Sequence, residues 1–402
     1  MRILIFNTFY FPKFIGGAEI SVQLLAEGLV KQGNQVFVVT FGEKPDVKRV
    51  HGVVVIRIKQ RNLFSTFHTD QHHSQLAKVL WHLIDSFNPL YTFFIKNILK
   101  RIKPDIIHTN NIAGFSPSVW AAVKLSKIPL VHTIRDYYLI CHRTNMFNNE
   151  HSCTVPCKDC KITNQVKFGF MKYPDHFVGI SKYILNKHES IIGEEKHRSV
   201  IYNGVEVNGE EIEKTFKYPD KLNFGYMGRI SPDKGVEYLI KELMACSPQI
   251  KAKIKVTLAG RGDSDFIEKL KNLACDLQVE FAGVVKPSQF FEHVDVLIVP
   301  SLWPEPFGRT VIEALSFGVP VCISDSGGLS ELHDAKSSWL YKPWVGQLTQ
   351  LVGDIVNNPQ RIAEKKANCF NSAQRFNESR YVDEYQTIYK KIIASPEVLS
   401  VR

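Results

Sequence analysis

No run of about 18 uncharged apolar residues occurs in this sequence, so nothing in it reads as a membrane span. The N-terminal apolar run, Arg2 to Phe6, is too short for the hydrophobic region of an export signal, and Pro12 and Gly16-Gly17 follow it. It reads instead as a first buried strand, which leads to the expectation of a cytoplasmic protein. Low-complexity tracts and nucleic-acid-binding motifs are missing, so nucleic acid is not expected as a partner. The GxGxxG dinucleotide fingerprint and its downstream acid are missing too. Acidic residues are scarce in one half only. Residues 1–200 hold 26 Lys+Arg against 14 Asp+Glu, a net +12, whereas residues 201–402 hold 24 against 26, a net −2.

What is present fits two ordinary α/β domains. The length of 402 residues is large for one core, and 44 % hydrophobic with 22 % charged residues is a globular composition. Strand and helix patterns alternate throughout, which argues for parallel sheets. Strands are expected at Arg2–Phe6, Gln35–Thr40, Asp105–Thr109, Leu130–Thr133 and Phe177–Ile180, with a helix over Ala18–Lys31. After the Asn203-Gly204 turn comes a charged stretch without apolar periodicity, read as a linker over 207–221. The rhythm restarts with strands at Leu222–Met227, Lys255–Ala259, Val279–Ala282, Val294–Val299 and Val319–Ser324. Helices are expected over Val236–Ala245, Phe266–Ala274 and Thr310–Phe317, and again from about Pro359 onward, where Tyr381, Tyr385 and Tyr389 mark one face.

The segment EPFGRTVIEALSFGVPVCISDSGGLSEL, Glu305 to Leu332, carries the chemistry. Glu305 lies on a Pro/Gly loop after a buried strand, and Glu313 lies inside the helix that follows. Gly308 and its neighbours present backbone N–H groups at that helix start, where the helix dipole also attracts an anion. Two hydroxyl-accepting carboxylates around such an end suit a nucleotide sugar. Arg229 and Lys234 flank an earlier strand-to-helix turn, a fork and a point charge suited to a diphosphate. Gly16-Gly17, before the first helix, allow backbone to approach a phosphate without an intervening Cβ.

Together these motifs resemble glycosyltransferase family 4: GGAE (Gly16–Glu19), VHTIRD with His132, NGV (Asn203–Val205), GRISPDKG, VPSLWPEPFG and the Glu305/Glu313 pair, spread over most of the chain. The resemblance implies a GT-B fold of two Rossmann-like domains facing across a cleft. These would be 1–206 for the acceptor and 222–375 for the donor, with a C-terminal helix from about 376 to 402 crossing back to the first. It implies a retaining transfer of a hexose-type sugar from a UDP- or GDP-sugar to a saccharide or lipid-linked acceptor, in cell-surface polysaccharide or glycolipid synthesis, with no catalytic metal. By the same resemblance, Arg229 and Lys234 hold the diphosphate and Glu313 the ribose. Glu305, with the amides of Phe307 and Gly308, holds the transferred sugar. His132 approaches that sugar, Gly16 and Gly17 admit the phosphates, and Asn110, Arg135 and Asp136 belong to the acceptor region. The chain departs from the family after Leu332, where HDAKSSWLYKPW replaces a glycine-containing turn. Rival expectations are a nucleotide-sugar epimerase or phosphorylase of the same fold, or a non-catalytic nucleotide-sugar binder.

Two features stand apart. Cys141, Cys153, Cys157 and Cys160 form C-x11-C-x3-C-x2-C, a spacing open to a structural zinc site, free thiols or disulfides. Residues 79–103 mix aromatics, Leu and Ile with a basic end. They suit either helices lying on an anionic membrane, at its inner face, or helices turned to the core.

Overall fold

The computed structural model describes residues 1–66, 73–148, 151–207 and 219–395. Most of the linker expected over 207–221, and the last seven residues of the expected C-terminal helix, lie outside these. The chain divides into two compact units. One comprises Met1–Met146, Cys153–Gly204 and Glu378–Arg402, and the other Phe147–Ser152 and Val205–Asn377. The stretch 1–206 is therefore interrupted, because Phe147–Ser152 groups with the second unit.

The first unit is built on β1 (Arg2–Phe6), β2 (Gln35–Phe41), β3 (Asp46–Val50), β4 (Val53–Ile58), β5 (Ile106–Thr109) and β6 (Leu130–Ile134). A small hairpin, β7 (Phe147–Asn148) with β8 (His151–Ser152), comes next in sequence and belongs to the second unit. β9 (His176–Gly179) and β10 (His197–Val200) complete the first sheet, in the order β10-β9-β6-β5-β1-β2-β4-β3. All its pairings are parallel except β3 with β4. Their turn, His51-Gly52, has φ of 47° and 84°, the left-handed pair that a tight hairpin requires. β1, β5 and β6 are nearly continuous apolar runs because helices cover both faces of a parallel sheet.

The helix Glu378–Ala394 closes this core. Tyr381, Tyr385 and Tyr389 are buried on one face, packed with Ile3, Val22 and Val178. Each buried hydroxyl has a partner: Tyr385 with Thr133 Oγ1 at 2.9 Å, Tyr389 with His108 Nδ1 at 2.7 Å, and Tyr381 with the Ser21 carbonyl at 3.2 Å. Gly28 lets the helix Gly17–Lys31 come this close, since a Cβ there would strike Val382.

The second unit's sheet has β11 (Leu222–Met227), β12 (Ile254–Ala259), β13 (Val279–Gly283), β14 (Val296–Val299), β15 (Val321–Ser324) and β16 (Ser338–Tyr341). Their order is β13-β12-β11-β14-β15-β16, parallel throughout. Strand order reverses direction between β11 and β14, and in the first unit between β1 and β5. Loops diverge above such a switch point and leave a crevice at the strands' carboxyl ends.

Candidate active site

In the second unit, the loops after β11 and β14 deliver the charged residues singled out in the sequence. Ser231–Lys234 turns tightly, and Gly235 takes φ 72° under the Pro300 carbonyl, where a Cβ would collide. The Asp233 carbonyl accepts from Trp303 N at 3.1 Å and ties the two loops together. Lys234 Nζ thereby meets Glu305 Oε1 at 2.9 Å and stands 4.6 Å above the Trp303 ring. Ser301 Oγ donates to the same carboxylate oxygen. Arg229 pairs with Asp233 at 2.6 Å yet keeps 60 % of its side chain exposed, so its guanidinium can reach a ligand. Asp233 is itself fixed by Ser231 Oγ at 2.6 Å.

Glu305 is held by backbone as well as by side chains. Its carbonyl accepts from Gly328 N at 2.6 Å, and Gly327 passes so close, at φ 65°, that a Cβ would sit 2.5 Å from that oxygen. The Gly-Gly turn thus positions the carboxylate loop. Gly308 begins the helix Arg309–Ser316 at φ 121°, and Phe307 is buried just before it. Glu313 pairs with Arg309 Nε at 2.7 Å, and burial pushes its carboxyl above the ordinary range while Arg309 opposes that shift. The structure therefore brings Lys234 and Glu305 together, with Arg229 joined to their turn through Asp233, and places Glu313 on the helix that follows. Sequence reasoning missed Ser301, Asp233, Trp303 and Arg309. Of these, Arg309 was readable from its i, i+4 spacing to Glu313.

The first unit holds the other expected residues. Gly16 N donates to Glu19 Oε2 at 2.9 Å, and a Cβ on Gly16 would meet nothing within 4 Å, while Gly17 opens the first helix. Arg135 is buried and spreads its guanidinium over neutral groups: Asn110 Oδ1 at 2.8 Å, Asn203 Oδ1 at 2.7 Å and Tyr381 Oη at 3.0 Å. Asp136 takes the Tyr138 amide at 2.9 Å, and desolvation pushes its carboxyl up to about 6.

His132 requires a correction. Expected at the sugar, it is 3 % exposed, bonded through Nδ1 to Thr109 Oγ1 at 3.0 Å, and packed edge-on against Trp120 and Phe177. Desolvation holds its imidazole neutral, down to about 3. The strand's alternation sends His132 to the face covered by Trp120, and Thr133 to the side of the tyrosine helix. It is a core histidine here.

The cysteine loop, for which zinc, free thiols and disulfides were all open, draws several of its side chains together. Cys160 hydrogen-bonds with the Cys141 and Cys157 thiols and lies 3.3 Å from His142 Nδ1. The Cys160 thiol draws Cys141 down to about 6, while Cys153 is pushed up by burial. Among the described residues, however, no group of three or more His, Cys, Asp or Glu side chains is placed to hold a metal ion. All eight cysteines are free.

Comparison with known proteins settles the lineage. The profile described as Glycosyltransferase Family 4 matches residues 15–208, and that of Glycosyl transferases group 1 matches residues 207–376. An uncharacterized 42.6 kDa protein in the cps region of Klebsiella pneumoniae is 35 % identical over 83 % of this chain and 87 % of that protein. The chain belongs to glycosyltransferase family 4. Among other relatives of this glycosyltransferase, the alpha-monoglucosyldiacylglycerol synthase of Streptococcus pneumoniae is 26 % identical over 83 % of this chain and 73 % of its own. The fold matches solved structures over nearly the whole length. Anabaena HepE in complex with UDP has a TM-score of 0.71 at 20 % identity, covering 97 % of this chain and 100 % of that one. The sucrose-phosphate synthase of Thermosynechococcus elongatus reaches 0.74 at 19 %, covering 98 % and 99 %. These likenesses show the GT-B fold.

Proposed function

We propose that this glycosyltransferase moves a hexose, with retention, from a UDP- or GDP-sugar to a saccharide or lipid-linked acceptor in cell-surface polysaccharide or glycolipid synthesis. The observation that carries this reading is the Lys234–Glu305 pair at 2.9 Å, at the switch point of the second unit's sheet. A diphosphate entering there would take Lys234, and Arg229 beside it, as counter-charges. Release of Lys234 frees a Glu305 oxygen to accept sugar hydroxyls. Charge gathers on the departing diphosphate during transfer, so fixed cations and the helix start at Arg309 stabilise it without a metal. The complexes of HepE with UDP and with UDP and glucose support the donor class, and the relatives in the cps region and in glucosyldiacylglycerol synthesis support the acceptor classes.

An exposed apolar row supports an anionic membrane surface as a partner. Trp81, Tyr91, Ile95 and Leu99 turn inward, whereas Leu76, Val79, Leu80, Leu83, Leu90 and Phe93 face solvent. Lys78, Lys100, Arg101 and Lys103 are exposed on the same two helices and at their end. No helix among the described residues is long and apolar enough to cross a membrane.

Calorimetry with UDP, GDP and ADP, followed by the anomeric configuration of the product by NMR, tests the proposal. Binding of UDP or GDP and a retained anomer are expected. An inverted product, or no binding of any of the three, would overturn it.

A further inference from the structure

The cysteine loop of the first unit leads into the helix Lys158–Phe168, and two of its thiols straddle the start of that helix. Cys157 occupies the N-cap and Cys160 the first turn, in the order Cys157-Lys158-Asp159-Cys160. A three-residue separation across a helical turn puts two side chains on one face. C-x-x-C at a helix start is also a spacing from which disulfides form and reopen. The two thiols meet here: the Cys157 and Cys160 side chains hydrogen-bond to each other.

The pair is asymmetric. Cys157 is partly accessible, whereas Cys160 is buried at 4 % exposure. An external disulfide therefore meets Cys157 first, with Cys160 behind it to complete the exchange. The hydrogen bond to Cys141, and then burial, push the Cys160 thiol up, so it stays protonated until a base removes the proton. His142 Nδ1 lies 3.3 Å from the Cys160 sulfur. Burial lowers His142, so near neutral pH its imidazole is uncharged and one ring nitrogen can accept. The same helix is anchored further along. Its Thr163 carbonyl accepts from Ser86 Oγ at 2.8 Å, and Lys167 Nζ donates to the Tyr138 carbonyl at 3.0 Å. A covalent change at the first turn thus falls on an element already tied to two others.

We propose that Cys157 and Cys160 form a reversible thiol–disulfide couple, closed by exchange with low-molecular-weight disulfides, R–S–S–R, of the oxidised glutathione type. The Cys157 sulfur, its proton given to solvent, attacks one sulfur of R–S–S–R. That S–S bond breaks, a Cys157–S–S–R bond forms and R–S⁻ leaves. His142 Nδ1 then takes the Cys160 proton, and the Cys160 sulfur attacks that of Cys157, expelling the second R–S⁻. The two protons end on the released thiolates. The protein pair loses two electrons and two protons, and R–S–S–R gains them as two R–SH. Excess R–SH reverses both steps and reopens the couple.

The test takes the full chain, purified with reductant and without chelator, into glutathione buffers of rising oxidised-to-reduced ratio. Thiols are trapped with maleimide and mapped by peptide mass spectrometry, and zinc and iron are measured on the same samples. We expect a Cys157–Cys160 disulfide that forms with oxidised glutathione and disappears on return to reduced glutathione. Cys160→Ser should stop at a Cys157–glutathione adduct, and Cys157→Ser should leave Cys160 reduced. Cys160→Ala replaces the serine variant should that fail to fold, and the parent map with Cys157→Ser decides without either. His142→Gln should slow conversion of adduct to disulfide at least about tenfold, as loss of a proton acceptor does, and leave the final linkage unchanged. The couple is overturned if every thiol stays reduced in oxidised glutathione or if the parent closes a different pair. It is equally overturned if a folded Cys160 variant accumulates no adduct, or if stoichiometric metal shields the thiols from maleimide. An unchanged rate in His142→Gln would overturn the assignment of the base.

Discussion

The charges on the second unit's β11 and β14 loops and following helix are partnered differently from four ionisable groups buried in the first unit. In the second, ionisable groups come as close pairs that remain partly accessible: Lys234 with Glu305, Arg229 with Asp233, Arg309 with Glu313. In the first, Arg135, Lys167, Asp85 and His132 are buried and hydrogen-bond to neutral groups. A paired, accessible site can exchange one partner for a charged ligand at little reorganisation cost. A buried acid without a counter-ion resists anions and accepts hydroxyls.

The most severe break of this contrast is Glu305→Ala. We expect kcat to fall about 10²–10³-fold, as when a transition-state contact is removed, with nucleoside diphosphate affinity largely kept; steady-state kinetics near the parent value would remove Glu305 from the sugar site. Lys234→Ala comes next, weakening UDP or GDP binding about tenfold, the scale of one charge-assisted hydrogen bond. Unchanged affinity by calorimetry would count against the diphosphate role.

His132→Ala should cost about 2–4 kcal/mol of stability through a core cavity and leave nucleotide affinity alone. A normal thermal midpoint with lost turnover would restore His132 to the chemistry. A smaller effect is expected of Asp136→Asn. The folded-state carboxyl titrates near 6, above its usual 3.8, so folding takes up protons in that window. Its stabilising share is complete below the lower value and is lost as pH rises through the upper one. Lys167, Glu19 and Cys141 also act on Asp136. Lys167, lowered to about 8, acts in the opposite sense but at higher pH. The asparagine variant should therefore melt about 2 °C higher at pH 7 and equally at pH 4; equal gains at both would refute the linkage. The smallest effect concerns the membrane. Leu83→Ser with Phe93→Ser should reduce co-sedimentation with anionic vesicles severalfold in low salt, and a variant bound as well as the parent would discount the apolar row.

The sequence made the second unit's site legible because its parts are local. Glu305 and Glu313 share one loop and helix, and Arg229 and Lys234 share one turn. Most interior strands were legible as apolar runs, whereas β3 and β10 escaped because edge strands such as Asp46–Val50 and His197–Val200 are polar. β4 and β16 were not picked out either. In the first unit the informative contacts join distant positions: Lys167 reaches Tyr138, and Asp85 reaches Gly114. His132 illustrates the limit. Alternation along β6 shows that it opposes Thr133, but only the placement of Trp120 reveals which face is sealed.

The tyrosine helix Glu378–Ala394 bears on biosynthesis. β1 finishes packing only when Tyr381 and Tyr385 arrive, after the whole second unit has emerged. During translation the first unit must wait with part of its interior uncovered, while the second can fold early. A nascent chain stalled before residue 378 should therefore carry a protease-resistant second unit and a first unit that chaperones still recognise.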